Sequence, residues 1–416
     1  MTSYFFLLST LVTQERLSWI EGAVRSYFHK EAAGRPGDAG PGDAAGCAIF
    51  LTDDALYSLS DAESLQTWSA ILSLARVRII CDREALDLRG ISPALLRERF
   101  PHQVIDYNNP GRDDSPSFWT DIVCHLQETI RPVPPQIGWL ETTTPYMFHS
   151  AANGIRCLSS ALDVRCGVSL YAYLDGCHIC HSGQNPDENE KNTGAALEEL
   201  GVRAAKDYLP CTIIASRHCA GARGYNTWDD GQGTLVSSFT LRPAHVRDLD
   251  VMIDHIRNVP VLLSGNAGFV HNSLRGQNEP GDLMKNPDHV PPVIILVTHS
   301  PYSTEYAKGG IAFAAACAHQ GIRTNVVFLE DGVFALAGEH RIPEGSEMFT
   351  IPDLLALLAH NKHLHFSALA PSFQRRGVLK NPALAGVTDI GFVELANLLF
   401  TLPDNAGCSH KRIIFF

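Results

Sequence analysis

The chain has no apolar run near the roughly 18 residues that a membrane helix requires. Its N-terminal apolar stretch, Tyr4-Phe5-Phe6-Leu7-Leu8, has no basic residue before it and Gln14-Glu15-Arg16 soon after it. A signal peptide would start basic and end at small residues, so the stretch reads as a buried strand. Positive charge is scarce: 33 Lys and Arg stand against 45 Asp and Glu, a net charge of −12. That excludes an electrostatic grip on nucleic acid, and any contact with RNA is expected to run through a partner. Self-similarity at the solenoid periods of about 20–50 residues is missing. A second C-x-x-C is missing as well, so nothing fixes the geometry of a zinc site. Eleven cysteines, an odd number, accompany the missing export signal. The expectation is reduced thiols, a cytoplasmic location and no membrane contact.

What is present is a longer repeat. Pro145-Tyr146, Ala151, Gly154-Ile155 and Asp175-Gly176 recur as Pro301-Tyr302, Ala307, Gly310-Ile311 and Asp331-Gly332, at a constant offset of 156. An Arg-Gly pair follows each set, Arg223-Gly224 and Arg376-Gly377. A weaker copy near the N-terminus has Gly22, Phe50-Leu51-Thr52-Asp53 and Arg89-Gly90. Such spacing fits tandem copies of one small domain. The 416 residues agree, at roughly 100–200 residues per domain. An apolar fraction of 45 % is enough for ordinary cores.

Each copy opens on an apolar strand: Phe5–Leu8, Ile137–Leu140 and Val293–Val297. A polar turn and an amphipathic helix follow, clearest in Ile311, Ala314, Ala315 and Ala318. Second strands are expected at Ala48–Leu51, Val168–Leu174 and Asn325–Leu329, third strands at Val77–Ile80, Thr212–Ala215 and His365–Leu369. Alternating strands and helices with short β-branched strands predict an α/β fold of mainly parallel sheets flanked by helices. Val259–Leu263 and Arg412–Phe416 would close the second and third copies, with Pro260 marking an edge. The expected division is 1–134, 135–265, a linker at 266–290, and 291–416. Ala32–Gly46, Arg131–Pro135 and Ser264–Pro292 read as connections.

Chemistry concentrates in the second copy, which holds Cys157, Cys166, Cys177, Cys180, Cys211 and Cys219. Cys177 follows the second strand and Cys219 the third, and loops after parallel strands gather at one sheet edge. Cys219 stands before an expected helix, beside His218 and near Arg217 and Arg223, a setting that favours the thiolate. The plainer alternative is a small packed residue. Cys177-x-x-Cys180 admits a dithiol, a sulfur relay, half of a metal site or ordinary loop thiols. With His181 it also matches a c-type haem attachment sequence, which the missing export signal disfavours. Gln184–Asn192 reads as a solvated connection, and Asp175 and Asp331 as turn formers. The recurring Arg89, Arg223 and Arg376 suggest a shared structural role. His360, His363 and His365 read as surface residues rather than a metal cluster. Neither a cofactor nor a bound metal is expected.

The order of first strand, polar turn and helix, second strand ending Asp-Gly, and third strand before Arg-Gly resembles the DsrE/DsrF-like sulfurtransferase subunits, which include the Tus and Dsr sulfur-relay complexes. Val293–Gly332, Ala368–Val378 and Gly391–Phe416 carry the resemblance best, then Thr144–Gly176 and Thr212–Tyr225. The resemblance implies three DsrE-like domains in a pseudo-trimer, with the first degenerate and the second active. It implies persulfide transfer through a cysteine to small sulfur-carrier proteins, and assembly as a homodimer of pseudo-trimers. The family's cysteine stands seven residues before the Arg of Arg-Gly, where this chain has Asp82, Ser216 and Leu369. Cys219 is three residues later and Cys81 one residue early. On this reading Cys219 is the carrier, Cys177 and Cys180 are donor, acceptor or resolving thiols, and Arg217 and Arg223 stabilise the thiolate. The competing reading is a docking module for sulfur-trafficking proteins, with Cys177 and Cys180 inert or metal-bound.

Overall fold

A computed structural model describes residues 3–34, 46–74, 77–101, 105–107, 117–130, 135–181, 183–188, 190–225, 227–229, 235–237, 244–264, 290–302, 304–340, 349–400 and 411–416. Most of the expected connections, and Cys408, lie outside the described residues.

The first unit runs β1 (Ser3–Leu8), α1 (Gln14–Gly34), β2 (Gly46–Leu51), α2 (Ala62–Leu72), β3 (Val77–Cys81), α3 (Arg83–Leu88), α4 (Pro93–Arg99), β4 (Ile105–Tyr107) and α5 (Phe118–Ile130). The second runs β5 (Gln136–Glu141), α6 (Ser150–Asp163), β6 (Gly167–Ala172), α7 (Thr193–Lys206), β7 (Cys211–Ser216) and α8 (Arg217–Ala222). A hairpin of β8 (Thr227–Asp229) and β9 (Leu235–Ser237) follows, then β10 (Ala244–Arg247), α9 (Leu249–Asn258) and β11 (Val261–Ser264). The third unit runs β12 (Val293–Val297), α10 (Tyr306–His319), β13 (Thr324–Phe328), α11 (Ile351–Leu358), β14 (Leu364–Leu369), α12 (Ala370–Arg376), β15 (Thr388–Ile390), α13 (Phe392–Phe400) and β16 (Arg412–Phe415).

Three parallel sheets result. Their orders are β1-β2-β3-β4, β10-β7-β6-β5-β11 and β15-β14-β13-β12-β16. The second and third sheets share one topology, and β11 takes the edge that Pro260 announces. Central strands such as β12, Val-Ile-Ile-Leu-Val, are buried at every residue, as a sheet covered on both faces requires. The second strand of the second unit stops at Ala172, two residues short of the expected Leu174. There the chain turns into a 3-10 helix, Leu174–Cys180, which recurs at Asp53–Leu59 and Glu330–Leu336.

The recurring glycines mark close approaches. A Cβ on Gly154 would meet the Trp139 indole at 2.5 Å, and one on Gly310 would meet Phe416 at 3.0 Å. On Gly176 it would stand 2.1 Å from the Glu141 carbonyl oxygen, and on Gly332 1.9 Å from that of Val297. These 3-10 helices therefore lie directly on the ends of the first strands.

Contacts between units repeat one relation. α5 packs on α6, α9 on α10, and α13 on α1, which closes a cycle. The first residue of each 3-10 helix has positive φ, 49° at Asp53, 51° at Leu174 and 53° at Glu330. Each of these residues reaches the next unit's first helix. Asp53 accepts from Asn153 at 2.5 Å, Leu174 lies against Gly309, and Glu330 accepts from Arg16 at 2.7 and 2.9 Å and from Trp19 at 3.2 Å.

Candidate functional site

The carboxyl ends of β6 and β7 bring the second unit's cysteines together. Ser216 ends β7 and caps α8, its hydroxyl accepting from the Cys219 N–H at 3.5 Å. Cys219 is thus in the first turn of α8, not ahead of the helix. Cys177 lies in the 3-10 helix, its sulfur 3.4 Å from the Ala172 carbonyl oxygen and 3.8 Å from that of Ser216. The 3-10 helix that carries Cys177 packs on α8, which carries Cys219, so the two thiols share one sheet edge. All three thiols, Cys177, Cys180 and Cys219, are free and buried, with exposures of 1 %, 1 % and 4 %.

This geometry divides one proton unequally. The Cys219 thiol is pulled down to about 6, first by the Cys177 hydrogen bond, against burial, with help from Ser216, Leu174 and the Arg223 charge. Cys177 is raised, by its donation to Cys219 and by burial. Burial alone pushes Cys180 up to about 12. Of the described cysteines with a shifted titration, Cys219 alone moves down; Cys157, Cys166, Cys211 and Cys317 rise, all mainly by burial. A thiolate beside a protonated thiol is the arrangement for nucleophilic attack on sulfur.

Arg223 does more than supply charge. It donates to Asp175 at 2.7 and 2.9 Å, to Glu305 at 2.8 Å, and back to the Cys219 carbonyl at 3.1 Å. Glu305 belongs to the third unit, so the thiol pair abuts an inter-unit contact. Asp175 is an ion-pair partner here, beyond any part in the turn. The pairing recurs as Asp54–Arg89 at 3.0 Å and Asp331–Arg376 at 2.7 Å, which accounts for the recurring arginines. Arg376 likewise reaches Glu15 of the first unit, at 2.5 Å. Arg217 sits apart from the thiols, half exposed and 3.7 Å from Asp248. His218 is exposed.

Five residues that were not named as parts of a sulfur-transfer site lie around the cysteines. The Tyr225 hydroxyl bonds His178 Nδ1, and His181 stacks on the Tyr225 ring at 5.0 Å. The only sequence signal for Tyr225 was its place after Arg223-Gly224. Gln184 is no solvated linker residue: its amide donates to the carbonyls of His178 and Ile179 at 3.0 and 3.1 Å and holds the cysteine turn. Tyr173, beside the pair, donates to the Gly309 carbonyl at 3.1 Å.

The pair occurs once. Positions equivalent to Cys177 and Cys219, counted from the Asp and Arg landmarks, hold Leu56 and Ala85 in the first unit and Val333 and Ser372 in the third. Ser372 accepts the Glu330 N–H at 3.1 Å, as Cys219 accepts that of Leu174. Among the described residues, no three His, Cys, Asp or Glu side chains are placed to hold one metal ion. A cleft of about 510 Å³ lies elsewhere, between the first and second units beside Trp119, Arg156 and Arg203, and no cysteine lines it.

Against known proteins, the DsrE/DsrF-like family model matches residues 292–401. That match covers most of the third unit and leaves out the thiol pair. No curated protein matches the chain. Among solved structures, the crystal structure of the ychN protein from E. coli is similar at 20 % identity, over 30 % of this chain and 99 % of that one, with a TM-score of 0.24.

Proposed function

We propose that the chain is a cytoplasmic sulfur-transfer protein in which Cys219 carries sulfane sulfur as a persulfide between partner proteins. The observation that carries this reading is the placement of Cys177 and Cys219 on packed elements at the carboxyl ends of β6 and β7, where the Cys219 thiol is pulled down to about 6. A thiolate attacks the outer sulfur of a donor persulfide, takes that sulfur, and releases the donor's thiolate. The DsrE/DsrF-like match in the third unit supports the reading by kinship of fold. The first and third units, with Leu56/Ala85 and Val333/Ser372, serve as scaffold, and the cyclic packing is a trimer written in one chain. Small sulfur-carrier proteins are the partners. Arg223 helps hold the thiolate, and Cys180 is a reserve thiol.

The test is mass spectrometry of the reduced protein after exposure to a persulfide donor. One sulfur, about 32 Da, is expected on Cys219 in samples quenched at the earliest times, before any discharge. Cys219→Ser should abolish loading, while Cys124→Ser and Cys317→Ser leave it intact. Cys317 is fully buried within α10, and Cys124 lies in α5, far along the chain from the pair. Loading that survives Cys219→Ser would move the carrier to Cys177 or Cys180.

One observation favours the docking-module reading: the three thiols are nearly closed to solvent. A wild-type chain that neither takes up sulfur nor releases hydrosulfide, yet binds a sulfur-carrier protein, would establish it.

A further inference from the structure

A carrier that only hands sulfur to partners needs one thiol. Here a second thiol is built against the first. Cys177 is wedged between the ends of β6 and β7, 3.4 Å from the Ala172 carbonyl and 3.8 Å from the Ser216 carbonyl. Ser216 also caps the turn that carries Cys219. The 3-10 helix of Cys177 packs on the helix of Cys219, which sets Cys177 beside the inner sulfur of a Cys219 persulfide, the atom that remains bonded to the cysteine. Attack there breaks the sulfur–sulfur bond of the persulfide, whereas attack on the outer sulfur would only move the sulfane atom along. Cys180 is fixed three residues further along the 3-10 helix. The first and third units, with an aliphatic residue in place of Cys177, have no such partner.

We infer that Cys177 is a resolving thiol, which discharges the Cys219 persulfide as hydrosulfide and leaves a Cys177–Cys219 disulfide. This rests on the carrier reading of Cys219. The step balances. Cys177 Sγ bonds to Cys219 Sγ, the bond from Cys219 Sγ to the sulfane sulfur breaks, and the Cys177 proton passes to the departing sulfur. The sulfane sulfur gains two electrons and leaves as HS⁻, while the two cysteine sulfurs are oxidised to the disulfide. A dithiol reductant then resets the pair by thiol–disulfide exchange. Tyr225 is hydrogen-bonded to His178, the neighbour of Cys177 in the 3-10 helix. The loaded state is consequently short-lived unless an acceptor thiol arrives first, and the chain acts as a persulfide reductase when none does.

The test is a single turnover. Fully reduced full-length protein receives one equivalent of cysteine persulfide, with no other reductant. Hydrosulfide and the intact mass are followed over time, and the product is digested without reduction. Wild type is expected to release about one hydrosulfide per chain, lose about 2 Da, and yield a peptide linking Cys177 to Cys219. Cys177→Ser should hold the added sulfur of about 32 Da on Cys219 and release at least about tenfold less hydrosulfide. Cys180→Ser should behave as wild type. A wild type that keeps the added sulfur and releases none overturns the inference while the carrier reading stands. A chain in which neither wild type nor Cys177→Ser is ever loaded overturns both. The linked peptide is read on wild type alone, so the inference stays falsifiable even if Cys177→Ser fails to fold.

Discussion

At the scale of single residues, the site rests on two thiols on packed elements, Cys177 and Cys219. Two neighbouring thiols cannot both ionise cheaply, and their titrations are pushed apart, Cys219 down and Cys177 up. Alkylation of Cys219 by iodoacetamide, read by peptide mapping, should therefore be half-maximal near pH 6, where an ordinary thiol titrates near about 8.5. The thiolate is the depressed form, so reactivity is present above that pH and lost as pH falls through it. Cys177→Ala removes the leading donor and should move the midpoint upward, whereas Cys177→Ser, which keeps an O–H, should move it less. A midpoint unchanged in Cys177→Ala would show that Arg223 and the backbone suffice. The place of Cys219 at the carboxyl end of β7, four residues before Arg223, was legible in the sequence, because strand ends and chain neighbours are local information. Its partner was half legible: Cys177 was named with Cys180, and only the path of the 3-10 helix separates them. Glu305 and Gln184 were not legible, since one comes from the next unit and the other returns across a polar loop. Arg217 shows the opposite failure. It neighbours Cys219 in sequence, but the helix turns it toward Asp248.

At the scale of elements, the repeated landmarks turn out to be backbone geometry. Gly176 and Gly332 let a 3-10 helix sit on a strand end, and the residue two positions earlier takes a left-handed conformation that non-glycine residues rarely adopt. Such strain, of order 1–3 kcal/mol for each residue, persists where the surroundings over-determine it. Here the surroundings are the next unit's first helix. Gly332→Ala should be costly because the opposing atom is a carbonyl oxygen at 1.9 Å, which cannot rotate away. A loss of about 1–3 kcal/mol or more is expected from denaturant unfolding, with Cys219 alkylation unchanged because the thiols lie in another unit. A loss under about 0.5 kcal/mol, the scale of an ordinary surface change, would mean that the 3-10 helix is free to shift. The first, second and third strands of each unit and the closing strands β11 and β16 were legible from apolar runs to within a residue or two, whereas the short strands β4, β8, β9, β10 and β15 were not. The 3-10 helices were not, because no hydrophobic period distinguishes a turn of seven residues from a strand end.

At the scale of the whole molecule, one relation between units is used three times with three chemistries: a hydrogen bond at Asp53, an apolar contact at Leu174, and an ion pair at Glu330. The ion pair joins the third unit back to the first, and both side chains are only 8 % exposed. Removing one partner of a buried pair strands the other charge, at a cost of about 3–5 kcal/mol. Glu330→Leu is the sharper test, because leucine already occupies the same conformation at position 174, so the backbone accepts it. The single change should destabilise the chain by that amount in denaturant unfolding, through Arg16 left without its carboxylate. Adding Arg16→Met removes the stranded charge and should recover a large part of the loss, since an apolar pair of similar volume can replace a buried ion pair at little cost. The cycle of Arg16→Met, Glu330→Leu and the double variant then measures the coupling. Additive single losses would mean that the two residues act independently, which leaves the α1–α13 packing and the Glu15–Arg376 pair to join the first and third units. A strong coupling would add this pair to those contacts as a cooperative link between the third unit and the first, far along the chain from the thiols.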